Sequence, residues 1–175
     1  MQKNKTKYSV KSLVISALIA GIYVALCFVF APISYGSIQI RISEILSILP
    51  IFTPNAILGL TVGCFISNML SFSPWDMLLG TLATFLSAIL TFKFKNIRFK
   101  SLPILSILPP IIINAIIIGF EITYIFMPEV ASAPVLIFNM LTVAIGQFIS
   151  CFVGGLILIK IIEKSPKLKD IISFK

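Results

Sequence analysis

The chain is a succession of long apolar stretches broken at a few polar or proline-rich points, and the spacing of those breaks outlines its elements. Leu13 to Ile33 is an apolar run of 21 residues, and about 20 helical residues rising 1.5 Å each cross a bilayer core of about 30 Å. From Ile40 to Phe92 the residues are mostly uncharged but are punctuated at Pro50, at Pro54 and at Ser71-Phe72-Ser73-Pro74. These breaks predict a short second helix near Ile42–Ile51, a third near Asn55–Leu70 and a fourth near Trp75–Phe92. Ser73-Pro74-Trp75-Asp76 has the form of a helix start, with serine as cap, proline at the first helical position and an acid in the first turn. Leu102–Met127 predicts a fifth helix, Pro128 to Pro134 a loop, and Val135–Ile162 a sixth. The expected fold is an all-α integral membrane protein, a single domain over 1–175. Residues 1–11 form a basic N-terminus, 12–162 a bundle of six transmembrane helices, and 163–175 a basic tail.

Composition strengthens this reading and the charges orient it. Only 11% of residues are charged and 58% are hydrophobic, against about 25% charged in an average soluble domain. Of 14 basic residues, all but Arg41 fall in three clusters: Lys3 to Lys11, Lys93 to Lys100, and Lys160 to Lys175. Lysine and arginine concentrate on the cytoplasmic side of membrane spans, so both termini and the loop after the fourth helix are expected there. The second helix tests this topology, because as an α-helix it covers only about 16 Å. Were it not to span, the first two basic clusters would face opposite sides. Irregular backbone around Pro50–Pro54 is tolerable at depth only where protein covers it or it opens onto water, which points to a cavity or a partner. The net charge of +8 flanks apolar spans and builds no basic face interleaved with aromatics, so it does not indicate nucleic acid. The N-terminal apolar run exceeds the 7–15 residues of a signal-peptide core and reads as a retained span.

Several chemistries drop out. Cys27, Cys64 and Cys151 stand singly inside apolar spans without metal-ligand spacing, and read as small core residues. There is no histidine, which removes Ser-His catalysis, zinc-water hydrolysis and haem ligation by histidine. No phosphate-binding G-x-x-x-x-G-K-[ST] loop occurs. The chain is expected to be no enzyme, to use no cofactor or metal, and to hydrolyse no ATP itself.

With this topology Glu44, Asn68, Asp76, Glu121 and Asn139 lie within about two turns of the outer ends of their helices. Asn114 and Glu121 are seven apart, about 20° short of two full turns, and project from one face of the fifth helix; Asn139 and Gln147 on the sixth point within about 80° of each other. An ionisable group inside a span is costly and normally faces a polar interior, which makes Glu121, among isoleucines, the strongest candidate ligand contact. Arg41 and Glu44 serve either as pocket residues or as an i,i+3 ion pair. Asp76 reads as a helix-start acid or a ligand contact, and Trp75 as an interfacial anchor or a stacking platform. Asn114, Asn68 and Gln147 also suit interhelical hydrogen bonding. Small residues recur every fourth position at Ala17, Gly21 and Ala25, at Gly59, Gly63 and Ser67, and at Gly146, Ser150 and Gly154. Such ladders let helices approach closely, within the bundle or, on the first helix, against another membrane protein.

Arg41-Ile-Ser-Glu44, Leu49-Pro50-Ile-Phe-Thr-Pro54, Gly63-Cys-Phe-Ile-Ser-Asn68, Trp75-Asp76-Met-Leu-Leu-Gly80, Pro109-Pro110-Ile-Ile-Ile-Asn114 and Gly119-Phe-Glu121 together resemble the QueT family of queuosine-precursor transporters. The similarity runs from about residue 10 to 162. The family members are substrate-binding S components of energy-coupling-factor importers. The resemblance implies a bacterial plasma-membrane protein that captures a nutrient outside and works with a transmembrane coupling protein and two cytoplasmic ATPases. It assigns Ala17, Gly21 and Ala25 to the coupling protein. The implied ligand is a 7-deazaguanine, with Glu121 or Glu44 accepting its N1–H and exocyclic amine as a fork, Asn114 and Asn68 on the ring edge, Trp75 stacking and Asp76 meeting an aminomethyl cation. Gln147 stands where the family commonly carries an acid, a loss of charge that implies a shift toward a neutral ligand or toward another nutrient. The competing reading is an accessory or scaffold membrane subunit, or an S component for another nutrient.

Overall fold

The apolar runs fold as six helical segments in the predicted order, seen in a computed structural model that describes residues 10–31, 41–69, 73–99 and 102–172. The segments are Val10–Val29, Ile42–Ile51, Asn55–Met69, Pro74–Phe94, Ile104–Phe126 and Ala133–Lys164, followed by a short terminal helix, Pro166–Ile172. The first, fourth, fifth and sixth are long and apolar enough to cross a membrane; Ile42–Ile51 and Asn55–Met69 are shorter. Large apolar side chains such as Leu18, Phe28, Leu82, Phe85, Ile116, Phe138 and Leu141 stand exposed around the bundle. Contiguous exposure on that scale suits a lipid surround. The polar residues are turned inward instead, so this is a multi-pass membrane protein. Lys3, Lys5, Lys7, Lys100, Lys175 and the turns at 34–40 and 71–72, expected on the outer side, lie outside the described residues.

The second segment is a ten-residue 3-10 helix rather than an α-helix. At about 2.0 Å per residue it reaches about 20 Å, further than the α-helical reading allows. Side chains three apart eclipse in a 3-10 helix, and the packing uses that alignment. A Cβ on Gly154 would lie 2.6 Å from Ile45 Cγ1, and one on Gly155 2.8 Å from Ile48 Cγ2. The sixth helix therefore accepts two aligned isoleucines on its paired glycines. Thr53 N–H closes the end of the segment on the Leu49 carbonyl at 3.1 Å.

The fourth helix starts as expected, with Ser73 Oγ accepting the Asp76 N–H at 3.3 Å and Pro74 in the first turn. In the fifth helix Pro110 has no N–H to give the Ser106 carbonyl. Thr91 Oγ1 of the fourth helix donates to that carbonyl at 3.0 Å, so a bond lost within one helix is remade between two. The ladders divide by face. Gly59 and Gly63 seat against the first helix, where an added Cβ would lie 2.7 Å from the Ser16 carbonyl oxygen and 2.9 Å from Tyr23 Cβ. Ala17, Gly21 and Ala25 are exposed, and nothing lies within 4 Å of a Cβ built on Gly21. Internal packing thus explains the third-helix ladder and not the first.

Candidate ligand-binding site

Arg41 caps the 3-10 helix, and its guanidinium reaches across the bundle rather than along its own segment. Nη1 donates to Asn68 Oδ1 at 3.3 Å, and Nη2 lies 3.6 Å from Asp76 Oδ1. Asn68 Nδ2 in turn donates to the Asp76 backbone oxygen at 3.0 Å. Three helical segments are thereby tied at one end, and the pair is 11% and 12% exposed. Asp76 is an ion-pair partner of Arg41. An open depression of about 190 Å³ lies beside this cluster, lined by Asn68, Met69, Ser73, Pro74 and Met77.

Glu44 lies one 3-10 turn further in and is fully engaged. Tyr23 of the first helix donates its hydroxyl to Oε1 at 2.5 Å, and Ser47 donates to Oε2 at 2.6 Å. Ser47 is three residues on, so the eclipsed geometry of the segment delivers it. The Glu44 backbone oxygen accepts from Cys151 Sγ of the sixth helix at 3.3 Å, and that thiol also lies 3.2 Å from Gln147 Oε1. Gln147 therefore joins the same cluster. Cys27 Sγ donates to Ser43 Oγ at 3.0 Å, and Cys64 Sγ accepts from Thr84 Oγ1 at 3.2 Å. All three cysteines are buried, as expected, but each borders polar groups rather than plain core.

Glu121 differs from Glu44 in its hydrogen bonding. It is wholly buried, and neither carboxylate oxygen has a hydrogen-bond partner among the described residues. Asp76 and Arg41 lie close enough to act on it electrostatically. Its neighbour Thr123 donates to the Gly119 carbonyl at 2.8 Å and accepts from Asn139 Nδ2 at 2.9 Å, so Asn139 is engaged in joining the fifth and sixth helices. Asn114 is buried with its amide on the Pro110 carbonyl at 2.7 Å, which leaves its oxygen available. Trp75 is 53% exposed, at the rim rather than inside. Glu121 and Gln147 each immediately precede a π-helical stretch, Ile122–Phe126 and Phe148–Gly154; such widened turns recur at functional sites.

Sequence reasoning missed Tyr23, Ser47 and Thr123. A tyrosine buried in an apolar helix needs a partner for its hydroxyl, and the nearest acid in the following segment was the available signal. Ser47 is three residues from Glu44, a relation that becomes a contact only in the 3-10 winding.

A bundle with four helices long enough to cross a membrane, which buries acids and amides among them, has the form of a membrane protein that binds a small polar molecule. Comparison with known proteins makes this specific. A family model described as the QueT transporter matches residues 13–164, and the chain belongs to that family. It is 34% identical over 173 residues to the queuosine precursor transporter QueT of Lactococcus lactis subsp. cremoris (strain MG1363), an alignment covering 92% of this chain and 95% of the relative. No solved structure matches the chain.

Proposed function

We propose that this protein is the substrate-binding membrane subunit of an energy-coupling-factor importer and captures a 7-deazaguanine precursor of queuosine at its outer face. Its second and third segments complete six crossings, with both termini cytoplasmic in a bacterial plasma membrane. The observation that carries the reading is Glu121, a buried carboxylate whose two oxygens have no hydrogen-bond partner among the described residues. Leaving such a group unpaired costs several kcal/mol, and a ligand that presents two N–H donors side by side removes that cost. The N1–H and exocyclic amine of a 7-deazaguanine form such a pair. Glu44 already accepts two hydroxyls, so the fork belongs to Glu121 and Glu44 shapes the floor. Asn114 and Asn68 serve the ring edge, Gln147 and Asn139 flank it, and Trp75 closes the rim.

Charge favours one precursor over the other. Although Gln147 removes one acid, Arg41 pairs with Asp76 and Glu44 and Glu121 act electrostatically on the same cation, so the 7-aminomethyl form, which carries an ammonium, suits these residues better than the neutral 7-cyano form. Asp76, held by Arg41, is the acid placed to meet that ammonium. The exposed face of Ala17, Gly21 and Ala25 is assigned to the coupling protein, which would link the chain to two ATPase subunits. Calorimetry on the purified protein tests the reading: the 7-aminomethyl compound binds without ATP, the 7-cyano compound binds more weakly, and Glu121→Ala abolishes both. Absence of binding to either compound by the unmodified protein overturns the substrate assignment.

A further inference from the structure

The end of the bundle opposite the acids carries a surface that the transport reading does not use. Arg98, in the turn after the fourth helix, donates to Glu163 of the sixth helix at 2.9 Å. That pair brings two basic clusters 65 residues apart onto one surface. Beyond Lys164 the chain turns at Ser165, whose hydroxyl accepts the Leu168 N–H at 3.4 Å, and re-enters a helix at Pro166–Ile172. At about 100° per residue Leu168, Ile171 and Ile172 share an arc of about 100°, with Lys167 at one edge and Lys169 at the other. Ile172 packs back against the core, whereas Leu168 and Ile171 are 39% and 57% exposed. Across the Arg98–Glu163 pair Ile97 and Phe99 are likewise exposed, at 50% and 65%, among Lys93 and Lys95.

We propose that this end is an anionic-lipid site: the terminal helix lies in the headgroup layer, its lysines on phosphates and its apolar arc at the acyl boundary. The charge balance argues for it. From Lys160 to Ile172 four lysines face two acids, Glu163 and Asp170, and Glu163 is occupied by Arg98. Apolar side chains flanked by lysines on a short helix parallel to a membrane surface are the pattern that binds anionic leaflets. An acidic protein surface would match the charge but would leave the exposed Leu168 and Ile171 without apolar cover. The inference rests on the membrane-spanning fold alone and is independent of the ligand.

Native mass spectrometry of the full-length protein, extracted from vesicles of phosphatidylglycerol and phosphatidylcholine in equal parts, tests it. The protein should retain phosphatidylglycerol in preference to phosphatidylcholine. Lys164→Gln with Lys167→Gln should lower that retention about 25-fold, at about fivefold per lysine near an anionic surface. Leu168→Gln should weaken retention of both lipids, and inorganic phosphate at millimolar concentration should not displace the bound lipid. Unchanged thermal unfolding in neutral detergent shows that the variants remain folded. Equal retention of the two lipids, displacement by inorganic phosphate, or a double variant that keeps its lipid while losing ATPase assembly would each overturn the proposal.

Discussion

Replacing Glu121 by glutamine separates a ligand contact from a structural acid, because the two roles predict opposite signs. Both oxygens of Glu121 are buried without hydrogen-bond partners among the described residues, so removing the charge relieves a cost and should raise thermal stability. A charged acceptor within a span is disfavoured by a few kcal/mol on insertion scales, and an amide by less. The ligand, in contrast, loses its fork. Two hydrogen bonds to a charged group are worth about 1.5–3 kcal/mol each, or about 3–6 kcal/mol together. At 1.4 kcal/mol per tenfold this is a rise in Kd of about a hundred- to ten-thousand-fold. Glu44→Gln is the control, since Glu44 holds Tyr23 and Ser47. It should destabilise by about 1–3 kcal/mol and weaken binding less. The assay pairs calorimetry with a thermal shift in one detergent. If Glu121→Gln binds like the parent, or melts earlier by as much as Glu44→Gln, the assignment of the fork to Glu121 is wrong.

Three further outcomes are expected. Tyr23→Phe removes the 2.5 Å bond to Glu44 and should cost about 1–2 kcal/mol of stability, read as an earlier thermal transition; no shift would mean that the first helix does not help to hold Glu44. Gly21→Leu should leave folding and ligand binding intact while uptake in cells is lost, whereas Gly59→Leu, whose side chain would meet the Ser16 carbonyl at 2.7 Å, should misfold on a size-exclusion profile; normal uptake by Gly21→Leu would rule out that face as the coupling surface. A cysteine at Ser132 should react with an impermeant maleimide on intact cells and one at Asn96 should not. The native thiols Cys27, Cys64 and Cys151 are buried and give little background; labelling at Asn96 would invert the topology.

Helix order and boundaries were readable because prolines and charges interrupt an otherwise apolar chain, and the fourth helix begins where its cap and proline predict. The winding of the second segment was not readable. A run such as Ile42–Ile51 looks alike as a 3-10 or an α-helix, and what selects the winding is the fit of Ile45 and Ile48 to glycines more than a hundred residues away. The faces of the ladders were equally hidden, since small residues serve close packing inside the bundle and docking outside it. The acids were visible as candidates, but their inequality was not. Tyr23 and Ser47 engage Glu44 and leave Glu121 alone, and that distinction depends on which neighbours the folded helices bring near.

The 3-10 segment covers with ten residues a distance that an α-helix would need about thirteen to reach. Rewinding it would draw its ends together by about 5 Å and turn Ser47 about 60° relative to Glu44, since each residue advances about 120° in one form and 100° in the other. The segment therefore acts as a gauge rod: the spacing between the Arg41 end and the glycines of the sixth helix is fixed by its pitch, and a change in pitch would alter that spacing and the aim of Glu44 in a single movement.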